Sequence, residues 1–283
     1  MVRRRAASPF DNGGDVMRPN RVREIWQASG AVINGWCGIP SGFSAEVMAH
    51  MGWDSLVVDM QHGIVDYQAM VSMLQGISTT AVTPMVRVPW NTPADIMKAL
   101  DAGAYGIICP MVNTRAECEA FVGACRYAPR GYRSSGPIRA TLYGGPDYHA
   151  QANDTVLAIA MIETGEALEN LDTVLSTPGL DGIYVGPSDL SISLGFSPGL
   201  DKTDEFMISA LQKIVDGCKR HKVRAGLHTG SSAYAKRMIA MGFQFVTLLG
   251  DARLLTMAGQ QVIREMRDGT PAAVPAAKPS SPY

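Results

Sequence analysis

Two short apolar runs in this sequence lead to an acid. Ile159-Ala160-Met161-Ile162 runs into Glu163, and Gly182-Ile183-Tyr184-Val185 is followed by Gly186-Pro187-Ser188-Asp189. If the runs are buried parallel strands lying side by side, both carboxylates emerge at the same end of a sheet. Two carboxylates held close in a partly buried site repel unless one is protonated or a cation bridges them. Mg2+ and Mn2+ take one or two carboxylates and fill the remaining octahedral positions with water and substrate oxygens. The pair therefore suits a divalent cation. It also suits a plainer role, because an acid near a helix N-terminus is stabilising in itself, and spacing alone does not separate the two.

Other reactive side chains recur at strand ends. Arg87 closes the run Thr83-Pro84-Met85-Val86, where a guanidinium that cannot give up its proton must be paired. Its partner is either a structural acid such as Asp59 or the developing charge of a bound oxyanion. His62 follows Asp59 by three residues, with Gln61 between them, a spacing that lets an acid orient an imidazole acting as a general base. Trp36 ends the first apolar run. Gly186-Pro187-Ser188 opens a helix whose free N–H groups can hold a small carboxylate. His228, at the end of the seventh run, and His149, in a loop, fit binding and structural roles equally. No lysine falls at the C-terminal end of a predicted strand, so Schiff-base catalysis is disfavoured.

Positioning these groups requires a regular scaffold, and the chain supplies the pattern for one. Short runs of apolar and β-branched residues alternate with amphipathic helical stretches, predicting strands near 31–36, 55–59, 83–87, 105–109, 157–163, 182–185, 223–227 and 243–248. Eight such units are the number that closes a (β/α)8 TIM barrel, an α/β fold whose strand C-terminal ends carry the active site. An open doubly wound sheet is the competitor, but no strand is followed by the glycine fingerprint of a dinucleotide site. Residues 129–150, rich in glycine and proline with Tyr and Arg interleaved, read as a long loop. Residues 1–20 read as a flexible leader, 21–270 as the catalytic barrel, and 271–283 as a disordered Pro/Ala/Ser-rich tail.

The 283 residues are 46% hydrophobic with a formal net charge of −1, which gives no general electrostatic reason to bind nucleic acid or an anionic membrane. No apolar run approaches the roughly 18 residues of a membrane-spanning helix. The basic start, with Arg3, Arg4 and Arg5, is not followed by the apolar segment of a secretory signal. Five cysteines with no Cys-x-x-Cys pair fit reduced, buried thiols and a cytoplasmic location.

Taken in order, Val58-Asp59-Met60-Gln61-His62-Gly63, Pro84-Met85-Val86-Arg87-Val88, Pro110-Met111-Val112-Asn113-Thr114, Arg126-Tyr127-Ala128-Pro129-Arg130-Gly131 and Gly186-Pro187-Ser188-Asp189-Leu190-Ser191 form a recognisable set. Over residues 30–265 the chain resembles the HpcH/HpaI aldolase family, class II pyruvate aldolases typified by 4-hydroxy-2-oxoheptanedioate aldolase. The resemblance implies a barrel of the phosphoenolpyruvate/pyruvate superfamily and a divalent ion (Mg2+, Mn2+ or Co2+) on Glu163 and Asp189. It further implies a catalytic Arg87, a base dyad of His62 and Asp59, and Trp36 in the pocket. It also implies a trimer of dimers in which the last helix, from Asp251 to Arg267, is exchanged between subunits. The family often has Glu where this chain has Gln61, which removes a charge beside the base.

The expected activity is reversible retro-aldol cleavage of a 4-hydroxy-2-oxo acid to pyruvate and an aldehyde, with the aldehyde selected by the 129–150 segment and a neighbouring subunit. Oxaloacetate decarboxylation and carbon–carbon ligation of a pyruvate enolate use the same groups and stay open. A non-catalytic binding barrel is the alternative from another class, disfavoured by costly charges gathered at one rim.

Overall fold

The computed structural model describes residues 17–268. Eight parallel strands close into a barrel, each hydrogen-bonded to its sequence neighbours and β1 to β8. They are β1 (Val32–Cys37), β2 (Ser55–Asp59), β3 (Thr83–Arg87), β4 (Gly106–Cys109), β5 (Leu157–Ile162), β6 (Gly182–Val185), β7 (Arg224–Thr229) and β8 (Phe245–Gly250). Helix α1 (Arg21–Gln27) precedes them, and α2 (Gly42–Ala49), α3 (Tyr67–Ile77), α4 (Pro93–Asp101) and α5 (Arg115–Cys125) follow the first four. After α5 come α6 (Ile138–Gly144) and α7 (Tyr148–Thr155), then α8 (Gly165–Glu169) and α9 (Leu171–Leu175) behind β5. Helices α10 (Pro187–Ser193), α11 (Glu205–His221), α12 (Ser232–Met241) and α13 (Asp251–Asp268) complete the ring. The helix starts follow local chemistry: Ser41, Asp66, Thr114, Asp204 and Ser231 each cap a helix, Thr114 through a full capping box with Glu117.

Strand alternation splits the core in two. Val57, Met85, Ile108, Ile159, Met161, Tyr184 and Phe245 fill the barrel, while Val58, Val86, Ile107, Ile162 and Val185 pack outward against the helices. Trp26 of α1 stoppers the N-terminal end, donating its indole N–H to the carbonyl of Gln244 and meeting Phe245 edge-on. Within the barrel, Ser55 donates to Asn34 and Asn34 to the Thr247 hydroxyl, which also receives the Tyr184 hydroxyl at 2.7 Å, so these polar interior groups satisfy one another.

Several boundaries differ from the sequence reading. Residues 17–20, assigned to the leader, are docked: Met17 is buried, and Asn20 caps α1 while bonding the carbonyls of Tyr105 and Thr155. Residues 1–16 and 269–283 lie outside the described part, and with them most of the expected leader and all of the expected tail. The stretch 129–150 is not a bare loop but carries α6 and the start of α7. Its arginines explain the order: Arg133 reaches Asp101 and the Tyr148 hydroxyl, and Arg139 reaches the Ala102 carbonyl and Ser78. Those partners close α3 and α4 at the N-terminal end of the barrel, the end away from the strand tips. Within one chain the segment therefore cannot select an aldehyde at the mouth, and that expectation is corrected for a single subunit. Helices α8 and α9 are separated at Asn170, whose side chain donates to the Asn113 carbonyl. Strand β7 runs on through His228 and Thr229. All five cysteines are free and buried. Among the described residues no helix is long and apolar enough to cross a membrane.

At the N-terminal rim, Asp181 accepts from Arg23, from Arg126 and from the backbone N–H of Ala158. Arg126 is 1% exposed, so removing its counter-charge strands a buried cation. Asp181→Ala is expected to lower unfolding free energy by about 3–5 kcal/mol in chemical denaturation, while leaving turnover per folded molecule intact because the site lies at the other rim.

Candidate active site

The strand C-terminal ends bring the singled-out side chains to one mouth. Asp59 and Arg87 are directly paired across β2 and β3. Arg87 donates Nε to one Asp59 oxygen at 2.8 Å and Nη2 to the other at 2.7 Å, a bidentate pair with both side chains almost fully buried. Asp59 further accepts the Trp36 indole N–H at 3.1 Å and the backbone N–H groups of Gln61 and His62. Burial by itself raises the Asp59 carboxyl, but the Arg87 bonds and charge and the Trp36 bond outweigh it and hold the acid below its ordinary value. The turn that makes these contacts needs Gly63, where a Cβ would come within 2.1 Å of the Asp59 carbonyl.

The expected Asp59–His62 dyad thus takes a different form. Asp59 accepts the His62 backbone N–H, so the acid fixes the turn that carries the imidazole. His62 is exposed at the mouth, and its pKa is lowered from 6.5, first by what burial it has and then by the Arg87 charge, against an opposing pull from Asp59 and Asp189. A lowered value keeps the ring neutral, and able to accept a proton, at neutral pH. The side-chain oxygen of Gln61 is buried without a hydrogen-bond partner.

Glu163, just past β5, is 2% exposed and accepts the backbone N–H of Met111 at 2.8 Å. Met111 takes a left-handed φ of 55° to present that N–H, a conformation costing a side-chain-bearing residue about 1–3 kcal/mol. Burial first, then the charge of Asp189, pushes the Glu163 carboxyl up to about 7, against the lowering effect of the Met111 N–H. Gly186 lies directly under it; a Cβ there would sit 2.4 Å from Glu163 Oε2. Asp189 occupies the first turn of α10, half-buried, and the Ser188 hydroxyl beside it is buried with no partner. A desolvated carboxylate facing a second one, with a glycine clearing space and an orphaned hydroxyl alongside, fits a small hard divalent cation and an oxygen ligand.

A small cavity opens beside these groups. Arg87, Gly186, Pro187, Ser188 and Asp189 line it together with Met161, Tyr184, Leu200 and His228. Trp36 forms its inner support: Tyr184 stacks on the indole, the His228 ring meets it edge-on at 5.2 Å, and the Arg87 guanidinium lies over it at 4.8 Å. The structure therefore gathers Trp36, Asp59, Gln61, His62, Arg87, Glu163, Gly186, Pro187, Ser188 and Asp189 at one rim. His149 is excluded, since it stacks on Tyr127 in the segment on the opposite rim. Sequence reasoning missed Met111, Tyr184 and Leu200. Tyr184 carried a signal: strand alternation from Gly182 turns it inward. The backbone of Met111 and the loop of Leu200 carried none.

Residues 36–257 match the family model for HpcH/HpaI aldolase/citrate lyase. The chain belongs to that family. It is similar to hydroxypyruvate/pyruvate aldolase of Rhizorhabdus wittichii, with 43% identity over 88% of this chain and 99% of the relative. It is also similar to 4-hydroxy-2-oxo-heptane-1,7-dioate aldolase of Salmonella dublin, with 34% identity over 85% of this chain and 92% of the relative. A solved HpcH/HpaI aldolase/citrate lyase family protein from Burkholderia cenocepacia J2315 superposes with a TM-score of 0.80 at 28% identity, covering 88% of this chain and 99% of the other. Membership places the protein among the carbon–carbon lyases of this aldolase family.

The Glu163 environment gives a pH signature. Burial pushes the Glu163 carboxyl up to about 7, against an ordinary value of 4.5. Between those values the native state holds a proton that the unfolded chain does not, so this group's contribution to stability falls as pH rises from 4.5 through 7. Glu163→Gln is expected to remove that slope, and in chelator at pH 8 to be more stable than wild type by on the order of 3 kcal/mol; at pH 4.5 the two should coincide. Urea unfolding across pH measures both.

Proposed function

We propose that the protein is a divalent-metal-dependent aldolase that cleaves a 4-hydroxy-2-oxo acid reversibly to pyruvate, or a C3-substituted pyruvate, and an aldehyde. The observation that carries the reading is the buried Glu163 carboxyl under the charge of Asp189, which lines one small cavity with Arg87. The named relatives, aldolases at 43% and 34% identity, support the same reaction class.

The residues divide the work. Glu163 and Asp189 would hold the cation, Mg2+, Mn2+ or Co2+. When bound, a cation there supplies a Lewis acid for the 2-oxo and carboxylate oxygens of the substrate. The Ser188 hydroxyl and the N–H groups of the α10 start, with Gly186 and Pro187 shaping the turn, bind the substrate carboxylate. His62 accepts the proton of the C4 hydroxyl. As the C3–C4 bond breaks, its electron pair runs to C3 and the 2-oxo oxygen, and the Arg87 guanidinium stabilises the enolate charge. Asp59 keeps Arg87 and the His62 turn in place, and Trp36 backs both. A proton returned to C3 completes the released 2-oxo acid. No described strand contains a lysine, so the scaffold offers no Schiff-base nucleophile at these positions.

The aldehyde end meets the β2–α3 and β3–α4 loops, where Ile64 and Trp90 are 84% and 55% exposed. Assembly as a trimer of dimers with α13 exchanged is part of the same proposal. Support comes from α13 itself, on which Leu255, Val262, Ile263 and Met266 are all more than half exposed. An amphipathic helix left so uncovered is expected to find a second copy.

Two results are expected. Exhaustive chelation should abolish retro-aldol release of pyruvate and added Mg2+ or Mn2+ should restore it; full activity in chelator contradicts the mechanism. Arg87→Lys, which keeps a cation opposite Asp59 but loses the bidentate fork, should lower kcat by about 10²–10³ with a folded, metal-binding protein. Release of CO2 from oxaloacetate in place of cleavage would favour the decarboxylase alternative.

A further inference from the structure

Helix α13 buries one residue within its own chain, and that residue is an acid. Of residues 251–267, Asp251 alone is buried, at 5% exposure; the turns beyond it are half-buried or exposed. One of its carboxylate oxygens accepts the backbone N–H of Gly38 at 2.9 Å, and the other accepts that of Ile39 at 3.0 Å. An acid that merely capped the helix would spend its oxygens on N–H groups two or three residues ahead. Apart from the adjacent Ala252 N–H, Asp251 spends them on the β1–α2 loop. The backbone bends to deliver it there. Leu249 takes a left-handed φ of 50°, and the β1–β8 register shifts between Asn34 and Trp36, just before that loop. Strain of this kind persists where its surroundings over-determine it.

The loop so held is the floor of the turn that carries His62. Gly38 donates its N–H to Asp251, and its carbonyl accepts the Ile64 N–H at 3.3 Å. Its Cα also packs against Gly63, where a Cβ would come within 3.2 Å of it. The His62 turn therefore has two attachments. Asp59 takes the N–H groups of Gln61 and His62 at its start, and Gly38 takes that of Ile64 at its exit. The first attachment rests on Arg87, the second on Asp251. His62 is exposed at the mouth, so the course of its main chain governs where the ring stands.

Resting on the reading of His62 as the proton acceptor in aldol cleavage, we propose that Asp251 is a positioning residue for it. Through Gly38 the carboxylate fixes the exit of the His62 turn, and so holds the imidazole where it can take the proton of the C4 hydroxyl. Metal binding at Glu163 and Asp189 does not depend on this link, which lies on the β1–β2 side of the mouth.

A double-mutant cycle separates this role from a general loss of stability. Asp251→Asn keeps the shape of the side chain but sets an amide NH2 against one of the two loop N–H groups. In the Mg2+-loaded full chain it should lower kcat for pyruvate release from 4-hydroxy-2-oxoheptanedioate by about 10–10²-fold, with KM changed less than about 3-fold. In a His62→Gln background, where the base is gone, the same substitution should cost less than about 2-fold. Asp251→Glu, which keeps the charge and both oxygens on a longer arm, should fall between wild type and Asp251→Asn. Amide hydrogen exchange read by mass spectrometry gives a measure independent of turnover. The peptide spanning 60–66 should exchange at least about 10-fold faster in Asp251→Asn than in wild type, with β5 and β6 unchanged. Should Asp251→Asn not fold, Asp251→Glu carries the same cycle and the same exchange measurement. Wild-type kcat in the folded variant, an equal loss in both backgrounds, or unchanged protection of 60–66 overturns the positioning role and leaves the aldolase reading standing. If wild type releases no pyruvate, or His62→Gln turns over like wild type, the underlying reading fails and the assignment with it.

Discussion

The buried pair of Asp59 and Arg87 is the constraint on which the mouth of the barrel depends. An arginine cannot be neutralised by burial, and a carboxylate taken out of water beside it is tolerable only if each oxygen is fully occupied. Here both oxygens are: one takes Arg87 Nε and two backbone N–H groups, the other takes Arg87 Nη2 and the Trp36 indole. Satisfying the charge therefore fixes three elements at once, the ends of β1 and β3 and the turn after β2. Tyr184 and His228 then rest on the indole so fixed. A hydrophobic pair in place of Asp59 and Arg87 could hold the strands equally well, but it would place none of these groups.

A second acid in the same rim has the opposite environment. Asp59 lies against a fixed cation and is held ionised; Glu163 is equally buried, has one backbone donor, faces another carboxylate, and rises to about 7. Environments that push two carboxyl groups apart assign them different work. One is structural ballast for an arginine that must remain charged and aimed. The other, under the proposed function a ligand for the cation, is held in place by a backbone strained at Met111 and cleared of obstruction by Gly186. The proposed division, with positioning on the β1–β3 side and metal binding on the β5–β6 side, follows from that contrast.

Much of this was legible in the sequence because barrel strands are short, apolar and doubly buried, and because polar residues at their ends stand out against that background. β2, β3 and β6 fall at the expected residues, and the direction of Glu163, Asp189, Arg87 and His62 follows once the strands are parallel. Three things were not legible, each for a physical reason. Alternation could not show that Asp59 spends its oxygens on Arg87 and the backbone instead of the imidazole, since both are in reach of the same turn. Glycine and proline in 129–150 read as loop, but long-range bonds from Arg133 and Arg139 order the segment and put it at the far rim. β7 was ended too soon because His228 and Thr229 are polar; tertiary hydrogen bonds to Tyr184 and Thr247 draw them into the strand.

The central claim is that Glu163 and Asp189 together hold a divalent cation beside Arg87. Crystals of the full chain grown with Mn2+ and oxalate, an unreactive mimic of the enolate, test it by anomalous scattering. The account predicts one strong Mn2+ peak within coordination distance of a carboxylate oxygen from each of Glu163 and Asp189, with the oxalate oxygens completing the site next to Arg87. Mn2+ bound elsewhere, or oxalate seated at Arg87 with no metal between the two acids, would contradict it.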